Sequence, residues 1–547
     1  KYALQNAVFF KGKASPKAVA GKVLGECPEL RSRSAEVLPM VNDIVAEVNS
    51  LDLQSQTAAL AEYDPSLMQK QKKERHYELP DLEDAEKVVM RIAPGPSGPL
   101  HIGHSRVAVL NDEYVKRYKG RLINRLEDTN PEKIDPDAYD MIPEDLEWLG
   151  VKVHCTVRQS ERFQHYYDVT RRLIELGKAF VCTCPGDNLK NLKAEMRACP
   201  CHGLSVEENL ERFDLLLSNA YSEGEAVAVI KTDIAHPNPA LRDFVALRIV
   251  DHPHPCTGSK FNVYPMMNLS VAVDDHMMGM THVIRGKDHL NNTLRQEYIY
   301  DYLGWQKPHF HHYGLVNIPD TVLKTSLIRN SIKEGTYTGW DDVRTGTLRA
   351  LQRRGISPDA IRRYWIEGGM KAVDMQFSWD TLFSMNREIV DDSANRYFFV
   401  PSPTALRFHG IEFLESHAPL HPDHPERGCR HSQLREGDDI FLAPEDLQLL
   451  QETGMVRLKD LCNIQYQDGA LYAGTDLAVL KKGVKVVQWV SVASSPLEVL
   501  MPDGGISKGR VENDLLQEQG DMVQLERFGF VRLHRQGRQV SAVFSHR

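Results

Sequence analysis

Apolar positions recur every three or four residues in VLPMVNDIVAEVNSL, residues 37–51, and residues 1–85 as a whole share this helical character. Within them, the run EYDPSLMQKQKKERHYELPDLEDAEK, residues 62–87, is polar and reads as a linker. From Lys87 the period changes. An apolar run over 88–92 predicts a strand, helical spacing covers 102–118 until Gly120 stops it, and 122–126 predicts the next strand. Strand, helix and strand in that order read as one βαβ unit of a parallel sheet. Residues 261–290, FNVYPMMNLSVAVDDHMMGMTHVIRGKDHL, alternate like buried strands, and a helix follows over 291–302. After Pro401 helical spacing fades, and runs such as LKKGVKVVQWVSVAS and GFVRLHRQGRQVSAVF predict a β-rich module over 401–547. No internal repeat or low-complexity tract interrupts the pattern.

Composition narrows the class. At 547 residues the chain should hold several domains, and 42% hydrophobic with 26% charged residues is a folded composition. No apolar run reaches the length of a membrane span, and the opening KYALQNAVFFKGKAS lacks a signal-peptide layout, so a cytoplasmic protein is expected. Nine cysteines, four of them in one short stretch, suit a reducing compartment and a metal site rather than a disulfide framework. A net charge of −9 argues against nucleic-acid binding by bulk attraction and leaves room for local basic patches.

Candidate chemistry sits first in RIAPGPSGPLHIGH, residues 91–104. In a parallel α/β sheet, ligands bind beyond the carboxyl ends of strands, where helix amino termini present unpaired N–H groups. The glycines permit close backbone approach and the prolines keep the loop extended. His101 and His104 stand three apart on the first helical turn, so both imidazoles face one way and could donate to phosphate oxygens. A sharp turn whose histidines merely cap the helix is the alternative. No P-loop ending in glycine-lysine-serine or -threonine occurs, which disfavours an ordinary ATPase. The second centre is Cys182-x-Cys184 and Cys199-x-Cys201, two close pairs of soft ligands matching a closed tetrahedral zinc site of structural type.

HIGH at His101–His104, with RIAPGPSGPLHIGHSR, LEDTNPEK, VDDHMMGMTHVIRGKDHL and GWDDVRTGTLRALQRRGISPDAIRRYW, resembles the glutamyl and glutaminyl branch of class I aminoacyl-tRNA synthetases, in the archaeal layout of the glutamyl type. The resemblance runs through nearly the whole chain, more weakly over the first 85 residues. It implies an N-terminal helical region (1–85), a Rossmann-like catalytic domain (86–180 and 261–330) split by an acceptor-binding insertion with the zinc site (181–260), a helical stem-contact region (331–400) and a β-barrel anticodon-binding domain (401–547).

The same resemblance implies ATP and Mg²⁺, activation of glutamate as an adenylate, and transfer to tRNA(Glu), with tRNA(Gln) as a second acceptor. A monomer is the default. By resemblance, Pro94, Gly95, Gly98, His101, Gly103, His104, Leu323 and Lys324 would bind ATP, with His101, His104 and Lys324 catalytic. The family's KMSKS motif aligns with Val322-Leu323-Lys324-Thr325-Ser326, where Thr325 replaces its important lysine, so Lys324 or Arg329 must serve. Arg91, Ala93, Gly95, Glu127 and Arg285 would bind the amino acid, Glu127 taking the ammonium and Arg285 the side-chain carboxylate. A family tyrosine and asparagine fall on Met267 and Val271, leaving Tyr264 and Asn268 as substitutes. A cysteine at position 285 would instead have favoured glutamine. A non-catalytic tRNA-binding relative is the further alternative. Arg353, Arg354, Arg362, Arg363, Lys481, Lys482 and Lys485 are candidate phosphate contacts, and Arg532 and Arg535 candidate anticodon contacts.

Overall fold

A computed structural model describes residues 1–10, 12–27, 30, 34–63, 67, 79–537 and 539–547, in two compact units, Lys1–Tyr77 and Glu78–Arg547. The first unit is helical: α1 (Tyr2–Phe9), α2 (Pro16–Glu26), α3 (Ser34–Ser50) and α4 (Leu53–Tyr63). Val41, Val45 and Val48 form the inward stripe of α3 and meet Ala3, Ala7, Val19 and Ala20. The linker expected over 62–87 lies largely outside the described residues.

In the second unit, β1 (Val89–Ile92), α5 (Ile102–Arg117) and β2 (Arg121–Leu126) form the expected parallel βαβ unit. Every β1 residue is buried, as befits a central strand covered on both faces. After α6 (Ala138–Trp148), β3 (Cys155–Arg158) adds in parallel to β2. The chain then leaves the sheet for α7 (Phe163–Glu175), β4 (Ala179–Cys182), α8 (Gly186–Ala194), α9 (Val206–Leu217), β5 (Val227–Ile230), β6 (Phe244–Ile249) and β7 (Val263–Pro265), whose strands form an antiparallel sheet in chain order. It returns through α10 (Met267–Met277) to β8 (His282–Gly286), α11 (Leu290–Leu303) and β9 (His309–Tyr313), with β8 and β9 parallel.

Residue 281 joins the two halves. Thr281 N–H donates to the Val89 carbonyl at 3.0 Å, and Val89 N–H donates to Thr281 Oγ1 at 2.9 Å. The order β3-β2-β1-β8-β9 is therefore doubly wound, and it reverses between β1 and β8. Beyond that contact β1 and β8 belong to separate ladders, so their carboxyl ends part and leave a crevice.

The strands expected across 261–290 are corrected: the segment is strand, helix, strand. From Asn268 to Asp275 every α10 residue is buried, so the helix has no wet face to display a 3.6-residue period. Two of those residues are acids. Asp274 accepts from Gln159 Nε2 at 2.9 Å, Arg162 Nε at 2.7 Å and the Tyr166 hydroxyl at 2.7 Å, which fastens α10 to α7 and the turn before it.

Helices α12 (Thr325–Lys333), α13 (Leu348–Arg353), α14 (Pro358–Gly368) and α15 (Trp379–Val390) follow. Trp365 of α14 is fully buried and donates its indole N–H to Ser105 Oγ at 2.7 Å, while Arg106 donates to the carbonyls of Gly314 and Gly369, both at 2.9 Å. The β-rich part opens at Asn395 and comprises two seven-stranded sheets. One holds residues 395–401 and 494–546, and the other holds residues 404–491 apart from the hairpin Phe413–Pro419 with Cys429–Arg435. Among the described residues no helix is long and apolar enough to cross a membrane.

Removing a fully buried carboxylate leaves two buried donors, Gln159 and Tyr166, and the partly buried Arg162 without their acceptor. Asp274→Ala should therefore cost about 3 kcal/mol or more of stability, read as a lower urea midpoint by far-ultraviolet circular dichroism. A midpoint equal to wild type would show that the three bonds add nothing net.

Candidate functional site

The crevice between β1 and β8 has a volume of about 490 Å³. Arg91 and Ile92 from β1, the loop Ala93–Gly95, the first turn of α5, Glu127 after β2, and Ile284–Gly286 from β8 line it. The parallel topology brings these groups together, because each lies at or just beyond the carboxyl end of a strand.

His101 is the N-cap of α5. Its Nδ1 accepts from Gly103 N–H at 3.0 Å and His104 N–H at 3.3 Å, and His101 N–H donates back to His104 Nδ1 at 3.4 Å. This is a capping box built from two histidines, with the rings stacked at 3.6 Å. Capping and ligand binding, posed as alternatives, are compatible: Nδ1 caps, and Nε2 of each ring keeps the proton and remains a donor. Burial pushes the His104 pKa down to about 4, and burial with the neighbouring His104 holds His101 well below its usual range. Both rings are thus neutral at physiological pH, donors rather than cations. Gly103 is required by this packing, since a Cβ there would lie 2.9 Å from His101 Cε1.

Behind the wall formed by Arg91 and Glu127, Asp275 is fully buried between two arginines. Arg91 Nε approaches it at 3.2 Å and Arg125 Nη1 at 2.5 Å, and these cations hold its pKa below the usual range against the desolvation that burial brings. Arg125 also donates to Glu127 at 3.2 Å. Burial raises the Glu127 pKa, opposed by Arg125 and Arg91. Arg285 differs from both neighbours. It is 7% exposed, lies 4.8 Å over the Phe310 ring, and donates from Nη2 to Thr293 Oγ1 at 2.5 Å and Gln296 Oε1 at 3.0 Å. Desolvation, with Arg91 nearby, lowers its pKa to about 10, so it stays charged. Among the described residues it forms no ion pair; Asp288, the acid nearest in sequence, instead approaches His289 at 3.8 Å.

Of the expected nucleotide and amino-acid contacts, Arg91, Ala93, Pro94, Gly95, His101, Gly103, His104, Glu127, Arg285 and Leu323 line the crevice. Four do not. Gly98, at φ +148°, packs under Trp340, whose Cη2 would be 2.8 Å from a Cβ. Tyr264 is fully buried in the core beside Phe163, and Asn268 lines a second cavity beside the cysteines. Lys324 is exposed at the N-cap of α12 with no ion pair or side-chain hydrogen bond among the described residues. The atypical loop is clasped to the first one: Ser97 and Thr325 hydroxyls lie 3.0 Å apart, and Arg329 donates to the Ser97 carbonyl at 2.6 Å while facing Asp135 at 3.2 Å. Arg329 is therefore committed, and Lys324 is the free cation of the pair. Asp275, Arg125, Thr293 and Gln296 escaped the sequence reading. The adjacent acids of VDD inside an apolar run were the available signal.

The four cysteines converge from the end of β4 and the turn Pro200–Gly203. Cys182 and Cys199 sulfurs are 3.7 Å apart, Cys184 and Cys201 3.8 Å, and all four lie within 4.8 Å of one another. A tetrahedron of zinc–sulfur bonds of about 2.3 Å has edges of about 3.8 Å, so the donor set fits. Burial raises the Cys201 thiol, but hydrogen bonds from Thr183 and Arg212 outweigh it and bring the pKa to about 7. Several arginines expected on nucleic acid have partners within the chain. Arg354 is 8% exposed and bonds the Ser545 carbonyl, Arg362 pairs with Asp112 and Glu113, and Arg363 pairs with Glu367 and Glu388. Arg353 faces Asp341, Arg532 donates to the Gln352 carbonyl, and Arg535 donates to the Glu518 carbonyl. Lys481, Lys482 and Lys485 are exposed.

Residues 87–392 match the family of class I tRNA synthetases (E and Q), catalytic domain, and residues 394–478 match the anticodon-binding domain of the same class. A protein of Methanocorpusculum labreanum named glutamate–tRNA ligase is 47% identical over all of this chain and 98% of its own length. The protein of that name from Methanocaldococcus jannaschii is 48% identical over 97% of this chain and 96% of its own, and the one from Pyrococcus furiosus 46% identical over 100% and 99%. With matching domains across most of its length and relatives of equal extent, the chain belongs to the class I tRNA synthetases of the E and Q type.

Proposed function

We propose that the protein is an enzyme that activates glutamate with ATP as glutamyl adenylate and transfers it to the 3′ end of tRNA(Glu), with tRNA(Gln) as a second acceptor, acting as a monomer in the cytoplasm. The observation that carries this reading is Arg285: a buried guanidinium in the crevice, held by neutral groups and matched by no acid among the described residues. A guanidinium suits a carboxylate because it is charged at every working pH and offers paired donors. Relatives named glutamate–tRNA ligase support the same choice.

In this reading the glutamate side chain meets Arg285 and its ammonium meets Glu127. The α-carboxylate attacks the α-phosphorus, and the bond to the pyrophosphate oxygen breaks. His101 and His104 donate Nε2–H to phosphate oxygens, which as neutral donors orient charge without titrating. Lys324 reaches the leaving pyrophosphate. Mg²⁺ would travel with the nucleotide and neutralise phosphate oxygens. In the second step the terminal ribose hydroxyl of tRNA attacks the acyl carbon and AMP leaves. Zinc at Cys182, Cys184, Cys199 and Cys201 would have a structural role, since four thiolates leave no position for water.

Pyrophosphate exchange in the presence of tRNA, with glutamate or glutamine supplied, tests the reading. Glutamate-dependent exchange is expected, and exchange only with glutamine would refute it. Arg285→Ala should reduce kcat/KM for glutamate by roughly two orders of magnitude, about 3 kcal/mol, mainly through KM. Metal analysis of the purified protein should give about one zinc per chain, lost in Cys201→Ala together with a lower melting temperature. A metal-free wild type of equal stability would remove zinc from the account.

A further inference from the structure

Helix α11 turns an unusual stripe toward the crevice wall. Its buried residues are Thr293, Gln296, Ile299 and Tyr300, so polar groups occupy three positions where an inward helical face ordinarily carries apolar ones. Thr293 and Gln296, one turn apart, are the two acceptors of Arg285 Nη2. Thr293 Oγ1 donates to the His289 carbonyl at 3.2 Å and lies 2.8 Å from His312 Nε2. Desolvation, with Arg285 nearby, brings the His312 pKa down to about 4, so the ring is neutral, and the Thr293 proton has an acceptor in the His289 carbonyl or the ring. The hydroxyl lone pairs then face the guanidinium.

The acids near Arg285 are otherwise occupied. Asp275 is shared by Arg91 and Arg125, and Glu127 is held by Arg125. Donors remain unspent around it: Arg285 Nε, Gln296 Nε2 and the Tyr300 hydroxyl are buried without a hydrogen-bond partner. Of the three residues only Arg285 lines the crevice, so its guanidinium is the group that a ligand's acceptor can reach, with Thr293 and Gln296 behind it.

We propose that Thr293 and Gln296 are positioning residues for amino-acid selectivity: as neutral acceptors they fix the direction of the Arg285 guanidinium while leaving its charge uncancelled for the side-chain carboxylate of the substrate. This rests on the glutamate reading above and adds the device that keeps the cation available. An acid at either position would hold the arginine equally well and spend its charge.

The test is tRNA-dependent pyrophosphate exchange on the full chain, with KM measured separately for glutamate, glutamine and ATP. Thr293→Val should raise the glutamate KM about tenfold, with the ATP KM and kcat within about threefold of wild type, and Thr293→Ser should restore it. Gln296→Glu sets a carboxylate against Arg285 and should lower kcat/KM for glutamate about a hundredfold while narrowing the preference for glutamate over glutamine at least about tenfold. An unchanged glutamate KM in both Thr293→Val and Gln296→Glu overturns the proposal, as do KM values for glutamate and ATP that rise together. If Gln296→Glu does not fold, the Thr293→Val and Thr293→Ser pair decides. A wild type without glutamate-dependent exchange would refute the glutamate reading itself, whereas a glutamate-specific wild type that needs Arg285 but ignores Thr293 and Gln296 would refute only this inference.

Discussion

Three buried guanidiniums are gathered at the crevice: Arg91 and Arg285 line it together with Glu127, and Arg125 lies behind them with the buried Asp275. Isolated buried charge is costly, and pairing offsets that cost only where geometry is good. The two acids are taken by Arg91 and Arg125, and one positive charge is left over at the position best placed to meet a ligand. The same pairing joins the halves of the sheet, because Arg91 and Arg125 come from β1 and β2 while Asp275 comes from α10, beyond the whole insertion. Asp275 therefore sets the charge balance behind the crevice and, with the Thr281 hydrogen bonds, ties the two halves of the sheet together.

Neutrality on the other wall complements this. Two protonated imidazoles stacked at 3.6 Å would repel each other, and burial removes that possibility by keeping both uncharged. Their Nδ1 atoms are fixed by backbone N–H groups, so tautomer and ring direction follow from the helix start itself. The two imidazole donors are thus set by local backbone geometry, whereas the arginine side of the crevice depends on contacts across long sequence separations.

That contrast explains what could be read from the chain. The βαβ unit, the histidine pair and the cysteine pairs are local patterns, each set by a short spacing, and their residues stand together in the fold. Helix α10 was read as strand because burial on all sides erases period, leaving length as the only discriminator. Arg285 could be singled out by resemblance, but Thr293 and Gln296, which hold it, carry no composition signal: a threonine and a glutamine on a helix look like surface residues until their face is known. Tyr264 and Asn268 were near in sequence to the expected contacts, yet one points into the core and the other toward the cysteines, as helix and strand geometry around 263–268 dictates. Nor does spacing announce that Arg354 and Arg362 bury their heads in partners far along the chain.

The departure at Thr325 has a structural counterpart. A lysine there would stand at the first helical position of α12, against the Ser97 hydroxyl and beside the carbonyl that Arg329 already occupies. Threonine instead lets the two loops close on each other through a short hydroxyl contact, with Gly98 allowing Trp340 to pack over the junction. Lys324, one residue earlier and exposed, is the cation that the closed arrangement leaves without an ion pair among the described residues. A flexible ammonium on a four-carbon stem suits a leaving group that must depart, whereas the fixed guanidinium of Arg285 suits one that must stay. Placement of the two cation types, one tethered and one free, thus follows the order of events that the proposed reaction requires.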